Sequence, residues 1–293
     1  MGVTHLPVMS REVLEYMRPE QGEAYVDATV GPGGHSELLL EAMAKGGRLL
    51  CIDRDAQVLE LAKKRLGHDS RCSFAHAAFA DMAHAASDAG FAKVQGVLMD
   101  LGVSMLQLKT DERGFSFMSD ANLDMRMDPS TGVTAEDVVN SWPERELADM
   151  IYTFGEEHRS RRIASSIVRA RAKSRIQTCR QLADVIEKAV GRSGRTHPAT
   201  RTFQAIRIEV NDEMGQLTRG LEAASGMLYQ GGRLVVITYH SLEDRAVKHF
   251  MKDRAKEGSM KLLTKKALKP TREEVLTNPS ARSAKLRCAE AAA

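Results

Sequence analysis

Hydrophobic and polar positions along the first hundred residues fall into short β-rich runs separated by stretches with helical spacing. Four runs predict strands, Ala24 to Thr29, Arg48 to Asp53, Cys72 to Phe79 and Gln95 to Leu101, each ending at a polar or glycine-containing turn. Between them, 36–44 and 56–66 repeat apolar residues as an amphipathic helix does, and an aspartate precedes the second where it can cap it. Such alternation predicts a parallel sheet with crossover helices. From about Gln107 to Asp212 no strand is predicted, and helical periodicity rich in arginine takes over. The first pattern then returns. A helical stretch from Asn211 to Tyr229 leads through Gly231-Gly232 into the apolar run Arg233 to Tyr239, read as a buried strand. Ser241 to Lys252 reads as a helix, Ser283 to Ala289 as a late strand and Lys261 to Leu263 as a weaker one. The expected organisation is an α/β domain made of 1–106 and 213–293, interrupted by an inserted helical domain at 107–212.

Composition narrows the class. A chain of 293 residues exceeds the usual single domain, and 43% hydrophobic with 28% charged residues is ordinary for a soluble globular protein. The four cysteines, Cys51, Cys72, Cys179 and Cys288, are far apart and form no Cys-x-x-Cys pair, so neither a zinc cage nor a disulfide framework is expected. A reducing cytoplasm fits that usage. The N-terminus lacks a signal pattern, and no run approaches the roughly 18 apolar residues of a membrane span. No cluster with metal-ligand spacing is expected to bind a metal.

The net charge of +3 conceals an asymmetry. Between Arg159 and Arg207 stand 13 Lys and Arg against only Asp184 and Glu187; that segment carries +11, while 29 basic and 37 acidic residues elsewhere leave −8. A polyanionic partner is implied, against the plainer reading of a solvated helix face.

The first predicted strand runs into Asp27-Ala-Thr-Val-Gly31-Pro-Gly33-Gly34-His35-Ser36, with a helix directly after it. Glycines there remove the Cβ atoms that would keep a ligand from the backbone, and the helix start offers free amides to an anionic group. The second strand ends at Asp53, 20 residues after Gly33, where a carboxylate can accept both hydroxyl hydrogens of an adenosine ribose. A nicotinamide dinucleotide is the competing ligand, but Ser36 stands where the third glycine of that fingerprint belongs. S-adenosylmethionine, which has no pyrophosphate, fits better: the turn cradles its methionine end and Asp53 holds its ribose.

Several strings together resemble one family, the bacterial small-subunit ribosomal RNA cytosine-N4 methyltransferases known as RsmH or MraW. They are His5-Leu-Pro-Val-Met9, Asp27 to Ser36, Asp53-Arg-Asp55, Asp100-Leu-Gly-Val-Ser104, Arg113-Gly-Phe-Ser-Phe117, Leu123-Asp-Met-Arg-Met-Asp128, His197 to Gln204 and His240-Ser-Leu-Glu-Asp-Arg245. The resemblance implies a Rossmann-like class I S-adenosylmethionine-dependent methyltransferase sheet, and a cytidine of 16S ribosomal RNA in the small subunit as substrate. It also implies that Gly33, Gly34, His35, Asp53, Phe79, Asp100 and Gln107 contact the cofactor. Two small departures are visible: Thr29-Val30 where some members have Thr-Phe, and Tyr239 where many have Phe.

Methyl transfer to the exocyclic amine of cytosine needs a hydrogen-bond acceptor, because the nitrogen lone pair is delocalised into the ring. Asp100, at the end of the fourth predicted strand, is the candidate catalytic residue; its plainer role is to cap the next turn. The target base must be presented unstacked, and Phe115, Phe117 and Tyr239 are either its supports or ordinary core. Arg195, His197, Arg201 and Arg207, with Tyr239 near the base, are the candidate RNA contacts. His240, Ser241, Glu243 and Asp244 invite a hydrolytic triad reading, but no nucleophile elbow accompanies them. Three alternatives stay open: a noncatalytic RNA-binding or ribosome-assembly factor, a DNA cytosine methyltransferase, and a protein methyltransferase.

Overall fold

The computed structural model describes residues 7–21, 23–103, 113–130, 132–192 and 197–292. The chain divides into two compact units, one formed by Met1–Gly102 with Met214–Ala293 and the other by Val103–Glu213. The expectation drawn from sequence had placed these divisions after residues 106 and 212.

The first unit is built on a seven-stranded sheet. Its strands are β1 (Ala24–Asp27), β2 (Arg48–Asp53), β3 (Cys72–His76), β4 (Val94–Asp100), β5 (Leu228–Thr238), β6 (Met260–Leu262) and β7 (Lys285–Ala291), in the order β3-β2-β1-β4-β5-β7-β6. Strands β1 to β5 are parallel, while β7 runs antiparallel to both β5 and β6. Alternate residues of one strand enter different cores. Leu49, Cys51, Leu98, Val235 and Ile237 pack on one face with α1 (Ser10–Met17), α2 (Gly34–Ala42) and α3 (Ala56–Leu66). Leu50, Ile52, Val97, Met99, Leu234 and Val236 pack on the other with α4 (Met82–Asp88) and two later helices that carry Leu217, Leu221, Val247 and Met251. A sheet covered on both faces needs apolar residues at every position, which is why β2, β4 and β5 read as continuous runs.

Several elements depart from the sequence expectation, β1 among them, which ends at Asp27 and not at Thr29. The strand expected to reach Phe79 stops at His76, and the chain tightens into a 3-10 turn at Phe79–Asp81. Gly231-Gly232, expected as the turn before a strand, lies inside β5. There the pairing with β4 slips between Val94↔Leu228 and Gly96↔Arg233, a bulge that Gly231 permits with φ 78°. A Cβ at Gly232 would come within 2.8 Å of the Tyr229 carbonyl oxygen. The strand expected from Ser283 starts two residues later, after a 3-10 turn at Pro279–Ser283. Elsewhere β2 and α3 have the bounds the pattern predicts, and the Asp55 side chain caps α3 by accepting from the amides of Gln57 and Val58.

The second unit is helical: α5 (Ala135–Ser141), α6 (Glu144–Gly155), α7 (Ser160–Arg171), α8 (Cys179–Val190) and α9 (Thr200–Val210). Val138, Leu147, Ile151, Ile163, Ile167, Leu182, Ile186, Phe203 and Ile206 form its core. Capping boxes Thr134/Asp137 and Thr178/Gln181 start α5 and α8. Gly155 lets α6 and α9 approach closely, since a Cβ there would lie 2.6 Å from the Arg201 carbonyl oxygen. The Asn211 side chain donates to the Met125 carbonyl oxygen and accepts from the Met127 amide, tying the Leu123–Asp128 string to the end of α9. After the second unit come α10 (Glu213–Met227), α11 (Ser241–Lys256) and α12 (Arg272–Thr277).

Cys51, Cys179 and Cys288 are buried, and burial pushes the thiols of Cys179 and Cys288 up to about 12, so both are inert. Among the described residues no helix is long and apolar enough to cross a membrane.

Candidate methyl-donor site

The strand order reverses its direction of growth between β1 and β4, and the carboxyl ends of parallel strands at such a point are where ligands bind. The first unit gathers its polar residues there. Asp27 closes β1 and is 1% exposed. Its carboxylate accepts from the Ser36 hydroxyl at 2.7 Å and from the Thr29 amide at 3.2 Å; burial nevertheless outweighs these bonds and raises it above the usual carboxylate range. The turn that follows depends on glycine, with φ of 54° at Gly31 and 89° at Gly33. Gly33 is the N-cap of α2 and supplies no side chain, so helical geometry leaves the first-turn amides of Gly34, His35 and Ser36 available to an anionic ligand.

Asp53 closes β2. One carboxylate oxygen accepts from the Gly31 amide at 3.0 Å and the other from the Asp55 amide at 2.9 Å, which anchors the glycine turn of β1 to the end of β2. Burial is the largest influence on this group and pushes it up to about 6 despite those two bonds. Asp100 closes β4. Its amide donates to Thr29 Oγ1 at 2.7 Å, its Oδ1 accepts from the Tyr239 hydroxyl at 2.7 Å, and its Oδ2 lies 3.4 Å from His35 Nε2. The Asp100 side chain is 21% exposed, so a ligand can reach it. Among the described residues neither ring nitrogen of His35 makes a hydrogen bond, although Nε2 faces Asp100 and the residue is only 7% exposed. A buried imidazole in that condition suits a polar ligand group.

Phe79 heads the 3-10 turn after β3, its ring seated against Gly220 of α10, where a Cβ would approach it to 2.5 Å. Gly33, Gly34, His35, Asp53 and Asp100 thus line the strand ends together, with Phe79 at the end of the neighbouring β3; Gln107 lies outside the described residues. Sequence reading had not singled out Thr29 or Ser36 as site members and had weighed Glu243 only in the hydrolytic triad reading. Glu243, 4% exposed, accepts from the amides of Tyr239 and His240 and completes the capping box that starts α11. The only trace of that role in the sequence is the three-residue spacing from His240 to Glu243.

The candidate RNA residues are placed differently. Within the second unit Arg207 makes a two-pronged ion pair with Glu213, at 2.6 and 2.7 Å, and is 19% exposed. His197 stacks on Phe117 with centroids 4.6 Å apart, and its Nε2 lies 3.6 Å from Glu187. Arg201 is exposed and donates to the Glu156 carbonyl oxygen at 3.1 Å. Arg195 lies outside the described residues. Phe115 belongs to the core, and Phe117 also meets Phe203 edge-on at 5.9 Å. Tyr239 gives its hydroxyl to Asp100.

A mostly parallel sheet with one reversed strand, a glycine turn after β1 and acids closing β1, β2 and β4 define a class I S-adenosylmethionine-dependent methyltransferase. The profile of the MraW methylase family matches residues 2–292, and the chain belongs to that family. Three similar proteins are each named ribosomal RNA small subunit methyltransferase H. That of Solibacter usitatus is 48% identical over 98% of this chain and 99% of its own length. That of Syntrophotalea carbinolica is 46% identical over 97% and 96%, and that of Geobacter sulfurreducens 47% identical over 99% of each. S-adenosylmethionine is therefore the methyl donor, and the residues present fit it. The orphaned His35 ring and the free amides of α2 suit its carboxylate and amine, Asp53 suits the ribose, and three acids suit a ligand that carries a sulfonium and an ammonium.

Proposed function

We propose that the protein transfers a methyl group from S-adenosylmethionine to the exocyclic amine of a cytidine in 16S ribosomal RNA, acting on the small ribosomal subunit in the cytoplasm. The observation that carries this reading is Asp100. It is a partly open carboxylate at the reversal point of the sheet, beside the glycine turn, held in place by its neighbours. The cofactor supplies an electrophilic methyl group. Asp53 holds the donor by its ribose and the turn at Gly33 to His35 holds its methionine end, which leaves Asp100 to orient the reaction. Asp100 accepts a hydrogen bond from the amine, favouring the pyramidal nitrogen that attacks and offsetting the positive charge that develops on it.

The RNA reading rests on the second unit. Much of its excess positive charge is neutralised internally: Arg159 pairs with Glu157, Arg175 with Glu136, Arg180 with Asp120, Arg192 with Glu187 and Arg207 with Glu213. Arg171 donates to the carbonyl oxygens of Val139 and Trp142. What remains is concentrated at α7, which contains no acid. Arg161, Arg162 and Arg169 on that helix and Lys173 just beyond it are exposed and make no ion pair with an acid among the described residues. Together with Arg201, which is exposed although its Nη1 lies 3.9 Å from Glu157, they form the phosphate track, and such contacts give affinity and salt dependence without reading sequence.

The test is transfer of labelled methyl from S-adenosylmethionine to small subunits lacking the modification, followed by nucleoside analysis. N4-methylcytidine is the expected product. Cofactor binding without transfer to RNA points to another acceptor, and absence of both favours a noncatalytic assembly factor. Asp100→Ala is expected to abolish transfer while RNA binding stays measurable; near-normal turnover in that variant removes Asp100 from the chemistry.

A further inference from the structure

A carboxylate that must present one oxygen to an amine has a problem that its own covalent structure does not solve. The terminal torsion of aspartate is broad and roughly two-fold, so an untethered Asp100 would offer either oxygen over a range of angles. The end of β5 supplies a tether. The Tyr239 hydroxyl donates to Oδ1 of Asp100 at 2.7 Å, while Oδ2 lies towards His35 Nε2 at 3.4 Å. Tyr239 is itself fixed at two further points. Its amide donates to Glu243 Oε2 at 2.9 Å, and Glu243 is anchored in turn as the partner of His240 in the box that starts α11. Its ring lies over Gly102, where φ is 121° and a Cβ would come within 3.1 Å of the ring. Burial, and then the charge of Asp100, push the phenol well above its ordinary range, so the hydroxyl keeps its proton and acts only as a donor.

We infer that Tyr239 is a positioning residue for methyl transfer: it occupies Oδ1 of Asp100 and sets the plane of the carboxylate, so that Oδ2 is the oxygen presented to the substrate amine. This inference rests on the reading of Asp100 as the amine acceptor. It gives Tyr239 a place in the reaction through Asp100 and not through contact with RNA. The Asp100 amide, tied to Thr29, fixes the backbone from the opposite side, so that the β1 turn, β4 and β5 all converge on one carboxylate.

The experiment compares single-turnover methyl transfer, cofactor Kd and RNA KM in three full-length variants. Tyr239→Phe keeps the ring and removes the donor. It is expected to slow single-turnover transfer about tenfold, the scale of a lost hydrogen bond to a charged group, with cofactor Kd and RNA KM within about twofold of the parent. Incorporation of 4-aminophenylalanine at position 239 keeps a donor at the ring tip and is expected to restore most of the rate, whereas a role in packing alone would be served equally by Phe. Asp100→Ala, which leaves no acceptor at this position, separates this inference from the reading beneath it. Full activity in Asp100→Ala overturns the acceptor role of Asp100. If Asp100→Ala is slow, an unchanged rate in Tyr239→Phe, a loss that follows cofactor affinity, or an amino variant as slow as Phe each overturns the role of Tyr239 alone.

Discussion

At the scale of single residues the site is a set of carboxylates kept at a cost. Asp53 is half-buried, and its two amide donors do not offset the desolvation that lifts it to about 6. In its proposed role the ionised form is the one that would accept both ribose hydroxyl hydrogens, and the sign follows. A carboxylate whose folded pKa lies above the unfolded value of about 3.9 contributes stability below that value and loses it as pH rises through about 6. Cofactor binding runs the opposite way. Calorimetric Kd for S-adenosylmethionine is expected to be flat from pH 7 to 8 and to weaken as pH falls through about 6. Asp53→Asn should bind more weakly throughout and lose that dependence; an unchanged pH profile in the variant would remove Asp53 as its source.

Among elements, α7 differs from the others in its unit by carrying several exposed arginines that pair with no acid among the described residues. Its buried stripe, Ile163, Ala164 and Ile167, faces the core, and Arg161, Arg162 and Arg169 stand clear of it. Replacing Arg161 and Arg162 by Ala is expected to raise RNA KM several-fold, lower the slope of log affinity against log salt by about one per residue, and leave cofactor Kd unchanged. Arg207→Ala should act differently, because it removes a two-pronged ion pair within the fold: a lower melting temperature is expected, with little change in the salt slope. A full salt slope in the Arg161/Arg162 variant would move the phosphate track elsewhere. Helix starts are a second local device. Thr178→Ala, which removes the box that opens α8, is expected to cost about 1 kcal/mol in denaturant unfolding.

For the whole molecule, the two units differ in how they are made from the chain. The helical unit is one continuous segment whose core is drawn entirely from residues 115–206, so it has what independent folding requires. Residues 103–213 alone are expected to give a helical circular dichroism spectrum and cooperative thermal melting, and to bind RNA in a salt-dependent way without binding the cofactor. Non-cooperative melting would show that the segment depends on the rest of the chain. The sheet unit closes only when β5 arrives, more than a hundred residues after β4. Its central pairing is therefore long-range, and it is expected to be the slower of the two to form.

Much of this was legible in the chain itself. Buried parallel strands demand unbroken apolar runs, so β2, β4 and β5 announce themselves; a turn needing left-handed backbone demands glycine, so Gly31 and Gly33 mark the candidate donor site; an acid at a strand end needs only its position to be noticed, as Asp53 and Asp100 show. These are local constraints, each satisfied within a few residues. Only the tertiary structure decided which side chains answer one another across the sheet. Nothing near Tyr239 in sequence indicates that its hydroxyl meets Asp100, 139 positions earlier, or that Gly231-Gly232 is a bulge in a strand and not a turn before one. The same holds for charge. A count of arginines measures the excess in a segment, but whether a guanidinium faces solvent, as Arg161 does, or an acid from another element, as Arg175 does, depends on where the helices pack, because ion pairs act through space and not along the chain.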